Sequence, residues 1–361
     1  MMIFQYLYFS VICIYSLFCF NIHASDLELY REFESLPSTL CDDCLVSLRN
    51  NAPTNGISFE DFDKFTNDIK LLKRTFVLAR NQKDLQEDWT SYISKVINKK
   101  KCIDGLKILN EFRDQLIEIG NTYQVDPELL VAILGIETNY GKILGNTSVL
   151  NAWFTRACTE NNLLWKKNFY AAIRLLRDDI VKPDKFLGSW SGAFGMTQFI
   201  PTSFYELAVD GDGDGVIDLY NSFIDAVAST ANHLNKRNFS WKYNVPAVIE
   251  VSLPEDWLDS INLEHGKTYL DISEKRKLKD WSIIGVCRIG NRELCNEFID
   301  SELETVVFAP NGSHGPFFLV TENFYSILNY NRSYRYALAV SLLFNFLKFE
   351  NDVLSSWTIN N

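Results

Sequence analysis

The 361-residue sequence predicts an α+β protein that is mostly helical, with a small antiparallel β domain inserted before the last helices. Apolar residues recur three and four positions apart from residue 26 to about residue 118, which is the spacing of a buried helix face. Between residues 245 and about 320, short β-branched or aromatic runs, namely "PAVIEVSL", "WSIIGVCRI", "ETVVFAP" and "PFFLVT", are separated by Gly, Asn and Pro, as strands are. Helical spacing returns from residue 323. We therefore expect the helices on both sides of the strand block to pack together.

The first 24 residues are predicted to be a signal peptide, because an apolar stretch ends in a polar, small-residue exit at Ala24. No Lys or Arg precedes the apolar run and Ile22 is not small, so an uncleaved membrane anchor is the alternative. Cys13 and Cys19 each follow a bulky residue, which argues against a lipoprotein cleavage site.

Beyond that segment the chain has an even number of cysteines, which in an exported protein is compatible with up to three disulfides. They are Cys41, Cys44, Cys102, Cys158, Cys287 and Cys295. We favour the pair Cys287–Cys295, since these residues flank a hairpin-like stretch. Cys41 and Cys44 resemble half of a zinc or redox site, but no second C-x-x-C follows, so zinc is not expected.

The formal net charge of −11 argues against nucleic acid or an anionic membrane surface as the main partner. The chain is rich in aromatic residues, with 16 Tyr, 26 Phe and 8 Trp. Such rings can stack on sugars, but we expect most of them to lie in the core.

A single carboxylate, Glu137, interrupts an apolar helix. Asp126 and Pro127 are typical of a helix start, as N-cap and first helical residue. Counting from there, Glu137 lies in the last turn, on the same face as Leu130 and just before Gly141. An apolar pocket would raise the pKa of such a carboxyl group and keep it a proton donor, as general acid catalysis requires. The alternative is a Glu that turns outward at a frayed helix end.

A second motif, "GSWSGAFGMTQFIPTSF", is rich in glycine. Gly188, Gly192 and Gly195 permit tight turns and close backbone approach, and the amide of Gln198 stands beside them. From the residues alone, this motif is also compatible with an ordinary Gly-rich loop.

A third motif, "DGDGDGVIDL", has the spacing of an EF-hand loop. Asp210, Asp212 and Asp214 occupy positions 1, 3 and 5, and the carbonyl of Val216 stands at position 7. The usual Glu at position 12 is missing, and Asp225 on the following helix is the candidate to close the site. The alternative is a polar turn with three acids by chance. We predict that this loop binds a cation, and calcium is the leading candidate.

With these motifs in order, followed by "NFYSILNYNRSYRYALAV", the chain resembles the lytic murein transglycosylase B family from about Cys44 to about Leu347. The resemblance implies a lysozyme-like core, a helical domain built from both chain ends, and a small sheet domain. The boundaries we predict are a signal peptide 1–24, a helical domain 25–118 completed by about 337–357, a catalytic core with the calcium loop 119–240, a β-rich domain 241–322, and C-terminal helices 323–361.

The resemblance also assigns site residues, with Glu137 as the sole catalytic acid and base. The implied sugar-contacting residues are Tyr92, Ser189, Gln198, Tyr330, Asn331 and Tyr336. The implied calcium ligands are Asp210, Asp212, Asp214, the Val216 carbonyl and Asp225. Two departures concern the cleft: His233 stands where the family commonly has a tyrosine, and an arginine pair that contacts peptide stems is not recognisable.

The implied reaction cleaves the MurNAc-β-1,4-GlcNAc bond of peptidoglycan and forms 1,6-anhydro-MurNAc ends, with one Glu acting first as acid and then as base. The implied partners are peptidoglycan glycan strands, and neither an organic cofactor nor nucleic acid is expected. The protein is expected to be a monomer in the periplasm of a Gram-negative bacterium. Cell-envelope protein partners stay open, as does anchoring in the inner membrane. The alternative functions are a hydrolytic muramidase and a non-catalytic murein-binding or scaffold protein.

Overall fold

The computed structural model describes residues 24–37, 39–81, 89–236, 241–290, 292–295 and 299–349. Apart from Ala24, the predicted signal peptide lies outside these residues. Within them, no helix combines the length and the apolar character that crossing a bilayer requires.

Helices make up most of the described chain. In order they are α1 Ala24–Glu34, α2 Leu40–Asn51, α3 Phe59–Thr66, α4 Lys73–Asn81, α5 Trp89–Val96, α6 Lys99–Glu111, α7 Arg113–Tyr123, α8 Pro127–Thr138, α9 Val149–Thr159, α10 Leu163–Arg177, α11 Pro201–Leu207, α12 Phe223–Lys236, α13 Glu255–Asp259, α14 Leu278–Ile283, α15 Glu322–Tyr330 and α16 Tyr334–Phe349. Short 3-10 turns lie at Pro53–Asn55 and Gly312–His314. The predicted helix start at Pro127 is confirmed.

The strands form two small antiparallel sheets. They are β1 Thr147–Ser148, β2 Leu187–Gly188, β3 Val248–Ser252, β4 Arg276–Lys277, β5 Cys287–Arg288, β6 Glu304–Phe308 and β7 Phe317–Val320. β1 pairs with β2, and the other five form one sheet in the order β4-β6-β7-β3-β5. The larger sheet precedes α15 and α16, so the predicted mostly helical α+β class with an inserted antiparallel sheet is confirmed.

One predicted strand is wrong. The run "WSIIGVCRI" contributes only the two-residue β5, because its first three residues belong to helix α14. Leu278 and Trp281, one helical turn apart, are both fully buried, so burial here follows the helical period. Gly285, with a φ of 91°, provides the left-handed residue that follows the helix end.

The chain folds into two compact units. The sheet unit holds the described residues between 87 and 136 and between 231 and 361; the loop unit holds those between 12 and 86 and between 137 and 230. This division is coarser than the predicted domains, whose boundaries stay a prediction. All three sequence motifs, from Glu137 to Asp225, lie in the loop unit.

The loop unit has an aromatic core to which a disulfide is joined. Trp153, Phe154 and Phe169 are fully buried in it, and α9 packs against α10. Cys44 on α2 and Cys158 on α9 form a disulfide with a Cα–Cα distance of 5.7 Å. Cys44 is therefore not half of a zinc or redox site.

The favoured disulfide Cys287–Cys295 is wrong, since neither cysteine forms a disulfide in the structure. The hairpin-like stretch between them does not bring the two sulfurs together. Burial raises the pKa of Cys295, so this thiol is protonated at neutral pH.

In the sheet unit, the C-terminal helix α16 packs against α5, α6 and β3, so the end of the chain returns to much earlier helices. Asp126, which is fully buried, does more than begin α8. Its carboxylate accepts hydrogen bonds from the indole of Trp241 (2.7 Å) and the amide of Asn244 (3.0 Å), and pairs with Lys348 (3.0 Å). A buried charge of this kind is tolerated because it is paired and hydrogen-bonded.

Candidate active site

Helix α8 places Glu137 in a dry environment. The sequence predicted that this helix is buried along one face. Residues 129–134 are all fully buried, so the helix is instead covered on all sides. Glu137, in its last turn, is only 6% exposed. The alternative of a glutamate turned outward at a frayed helix end is therefore wrong.

The chain reverses sharply after α8. Asn139, Tyr140 and Gly141 all have left-handed φ values, of 51°, 63° and 76°, which end the helix. The buried side chain of Thr138 holds the turn, because its Oγ1 accepts the amide of Gly141 (3.0 Å) and donates to the carbonyl of Met196 (2.5 Å). The residue after Glu137 is thus bonded directly to the Gly-rich motif, a role that the sequence analysis missed.

Gln198 joins the same two segments a second time. Its Nε2 donates to the carbonyls of Gly195 (3.0 Å) and Leu144 (3.4 Å). Gln198 itself is half-buried and has a φ of 55°, so its backbone is strained while its amide links the loop to the turn after Glu137. The structure therefore brings Glu137 and Gln198 into one local assembly.

Ser189 is buried within the Gly-rich motif. Its Oγ lies 2.9 Å from Ser191 Oγ and accepts the amide of Ala193 (3.2 Å), while its own amide donates to the Ala193 carbonyl (2.8 Å). These contacts shape the loop, and Ser189 is 2% exposed.

Strand pairing fixes the beginning of this loop beside the turn after α8. Thr147 of β1 lies opposite Gly188 of β2. Gly145 has a φ of 93°, and a Cβ there would stand 2.0 Å from the Gly188 carbonyl oxygen. Only glycine allows this approach, so the two segments that flank Glu137 and Ser189 form one rigid piece.

The predicted calcium loop gathers three carboxylates. One oxygen each from Asp210, Asp212 and Asp214 lies within 4.8 Å of the others, and all three side chains are exposed. Asp210 accepts the amides of Gly213 (2.6 Å) and Gly215 (2.8 Å). The donor set is entirely oxygen and therefore suits a hard cation such as Ca²⁺ or Mg²⁺.

Asp225 holds this loop from the following helix. It is not one of the three carboxylates that lie close together, and its predicted role as a calcium ligand stays a prediction. It is 1% exposed, and its two oxygens accept the amides of Gly211 (2.8 Å) and Asp218 (2.8 Å). Burial raises the pKa of Asp225, although these two amide contacts oppose the shift. Val216 donates its amide to Asp214 (2.8 Å), and its predicted role as a carbonyl ligand stays a prediction.

In the sheet unit, the predicted sugar-contacting rings form a cluster of their own. Tyr330 stacks against Tyr336, with ring centroids 6.4 Å apart and planes 12° apart, and its ring centroid lies 4.7 Å from that of His233, with the two planes tilted by 42°. Tyr336 is fully buried, and Tyr330 and Asn331 are nearly so. His233 thus preserves an aromatic contact at the position where the family commonly has tyrosine.

Tyr92 belongs to a second aromatic contact in the sheet unit. The guanidinium carbon of Arg335 lies 5.9 Å from the Tyr92 ring centroid and 5.3 Å from that of Trp89. Arg335, beside Tyr336 in the sequence, therefore holds these rings by cation–π interaction. Its position within "NYNRSYRYA" was the only sequence signal that could have found it.

Comparison with known proteins connects these features to one family. Residues 41–345 match the family model of the transglycosylase SLT domain. Membrane-bound lytic murein transglycosylase B of Escherichia coli K12 is 28% identical over 258 residues, which cover 70% of this chain and 65% of that protein. The match therefore spans slightly less than two thirds of this curated relative.

Solved structures show the same fold. SltB3 from Pseudomonas aeruginosa, in complexes with NAG-NAM-pentapeptide and NAG-anhNAM-pentapeptide, is 30% identical, with TM-scores of 0.77 and 0.75. Each alignment covers 89% of this chain and 83% of SltB3. The E. coli lytic transglycosylase Slt35 in complex with calcium is 23% identical, with a TM-score of 0.67 over 85% of this chain and 93% of that one.

Proposed function

We propose that this chain, which belongs to the transglycosylase SLT domain family, is a lytic transglycosylase of peptidoglycan with Glu137 as its catalytic group. One observation supports this most strongly. A single carboxylate lies buried in the last turn of α8, and Thr138 and Gln198 bond the turn after it to the Gly-rich loop. A dry, fixed carboxylate is what general acid catalysis needs.

In the first proposed step, the protonated Glu137 gives its proton to the oxygen that links MurNAc to GlcNAc. The bond between that oxygen and C1 of MurNAc breaks, and the GlcNAc hydroxyl leaves. The N-acetyl carbonyl oxygen of the same MurNAc attacks C1 and neutralises the developing cation. Glu137 is now a carboxylate.

In the second step, Glu137 takes the proton of the MurNAc C6 hydroxyl, and this oxygen attacks C1 and displaces the acetamido oxygen. A 1,6-anhydro ring closes, Glu137 is protonated again, and no water is consumed. Glycosidases normally use two carboxylates, whereas the motifs around Glu137 contain no second acid between residues 138 and 147 or between 188 and 199. Participation by the substrate replaces the missing group.

Sugar binding is proposed for Ser189 and Gln198 in the loop unit and for Tyr92, Tyr330, Asn331 and Tyr336 in the sheet unit. Because Ser189 and Tyr336 are nearly or fully buried, we propose that their main contribution is to hold the loop and the Tyr330 ring in place. SltB3 has been solved with NAG-NAM-pentapeptide, which supports peptidoglycan as the substrate of this chain.

Product mass distinguishes the candidate functions. Purified murein digested with the wild-type chain should yield fragments whose MurNAc ends are lighter by one water than hydrolysed ends. Fragments that contain the added water would identify a muramidase instead, and murein that is bound but not cleaved would identify a scaffold protein. The fragments are separated by liquid chromatography and weighed by mass spectrometry.

We also propose that the loop from Asp210 to Val216 binds calcium and thereby stabilises the fold without taking part in the chemistry. Three exposed carboxylates repel one another unless a cation neutralises them, and calcium in the Slt35 structure supports the choice of ion.

Calcium should therefore raise the melting temperature. At a free concentration 100 times the dissociation constant, binding adds about 2.7 kcal/mol, which raises the melting temperature of a cooperative unit as large as the loop unit, about 170 residues, by about 5–10 °C. Differential scanning calorimetry of EDTA-treated protein with and without calcium measures the shift, and Asp212→Asn should reduce it. The control Asp184→Asn removes an exposed carboxylate outside the loop and should leave the shift intact. Equal melting temperatures with and without calcium would refute the site.

An oxidising compartment outside the cytoplasm is the proposed location. The disulfide Cys44–Cys158 supports it, because such bonds persist in exported proteins and are rare in a reducing cytoplasm. The signal peptide, the periplasm and the monomeric state stay predictions.

A further inference from the structure

A cavity of about 330 Å³ opens in the loop unit, beside the turn that follows α8. It is lined by Arg74 at the beginning of α4, by residues 142–147 and by Trp190. None of the three sequence motifs accounts for Arg74 or for the charge of Lys142.

Several contacts hold the walls of this cavity in place. The carbonyl of Trp190 accepts a hydrogen bond from Thr75 Oγ1 (2.6 Å), which fixes the start of α4, and with it Arg74, against the Gly-rich loop. Trp190 is itself 4% exposed. On the other side, Gly145 lies against the Gly188 carbonyl, so the stretch 142–147 cannot move away without breaking the pairing of β1 with β2. The cavity is therefore a built feature rather than a gap between loops.

The lining is positively charged in a protein whose net charge is −11. Arg74 and Lys142 are both exposed, and no carboxylate lies among the described residues that line the cavity. Asn146 and Thr147 add neutral polar groups. A guanidinium fork and an ammonium group around one cavity suit a carboxylate ligand, because the fork can donate two parallel hydrogen bonds to it.

The cavity also lies within reach of the glycan chemistry. Lys142 is five residues from Glu137, which limits their separation to about 18 Å, and Trp190 directly follows Ser189. A peptide attached to MurNAc can extend over such a distance.

We propose that this cavity binds a carboxylate of the stem peptide on MurNAc, with Arg74 and Lys142 as the charged contacts. The proposal rests on the proposed function, since it names the part of the same substrate that the cavity recognises. It gives this chain a means of selecting peptide-bearing glycan, although the family's arginine pair is not recognisable in its sequence.

Isothermal titration calorimetry of the wild-type chain and its variants with three probes tests whether the cavity binds a carboxylate of the stem peptide. The probes are NAG-NAM-pentapeptide, the same molecule with its carboxyl groups amidated, and the NAG-NAM disaccharide. Arg74→Gln and Lys142→Gln should each weaken binding of the acidic pentapeptide about threefold to tenfold and leave the other two affinities unchanged. Added salt should weaken the acidic probe most, because exposed charges are screened. Lys64→Gln, which removes an exposed cation that does not line the cavity, is the matched control.

Three results would overturn the cavity's role: variants that weaken all probes alike, variants that weaken none, or an amidated probe that binds wild type as tightly as the acidic one. None of these probes contains the MurNAc-to-GlcNAc bond that is cleaved, so the titration measures binding without turnover. A wild-type chain that shows the expected pattern but cleaves no murein overturns the proposed reaction and leaves the cavity standing.

Discussion

The Glu137→Gln variant should release soluble fragments from murein at least about 10²–10⁴-fold more slowly than wild type, the usual effect of losing a general acid–base group. Glutamine keeps the size of the side chain and its hydrogen-bonding ability but can neither give nor take the proton. The effect should fall on turnover rather than on binding, because both proposed steps pass a proton through this one group. The measurement is the initial rate of fragment release from purified murein.

Two further variants show whether the loss of activity in Glu137→Gln is specific to this carboxylate and to its position. Glu118→Gln removes an exposed carboxylate on α7 and should leave the rate unchanged. Glu137→Asp keeps the acid but withdraws it by one methylene, and misplacement on the scale of 1 Å costs on the order of 10²-fold. If Glu137→Gln released fragments from murein as fast as wild type and had the same melting temperature, another group would have to supply the proton.

The sequence predicted best what depends on residues close together in the chain. The start of α8 follows from Asp126 and Pro127, and the alternation of Asp210, Asp212 and Asp214 is enough to gather three carboxylates in one loop. Such features need only the helical period and turn chemistry. The burial of Glu137 was predicted by the same spacing.

Features that depend on tertiary packing were missed. The orientation of Asp225, whose two oxygens hold backbone amides, depends on where α12 meets the loop. The link from Thr138 to Met196 joins residues 58 positions apart. The run that includes Trp281 has a strand-like composition, yet it begins in helix α14. Leu278 and Trp281 are buried one helical turn apart, and this packing overrides the strand propensity of the run.

Cysteine pairing shows this limit most clearly. Cys287 and Cys295 were favoured for their closeness in sequence, but the bond that forms joins α2 to α9 across 114 residues. Six cysteines allow 15 connectivities, and spacing alone cannot choose among them. Packing of two helices on one aromatic core decides the pair.

This disulfide should contribute more to stability than any other single feature of the loop unit. Closing a loop of about 100 residues removes chain entropy worth about 4.7 kcal/mol from the unfolded state. In the double variant Cys44→Ala/Cys158→Ala, the loop unit, of about 170 residues, should therefore melt about 10–15 °C below wild type, as measured by circular dichroism in the absence of reductant. The double variant removes both sulfurs at once, so no unpaired thiol is left to form a new bond.

The pair Cys287→Ala/Cys295→Ala provides the matched control, since it also removes two half-buried sulfurs but opens no covalent loop. Its melting temperature should change by no more than about 3 °C, in line with a loss of about 1 kcal/mol from small changes in packing. Alkylation of unreduced protein should label Cys287 and Cys295 and leave Cys44 and Cys158 unlabelled. An equal loss of stability in both double variants would mean that side-chain packing, rather than the covalent link between α2 and α9, stabilises the loop unit.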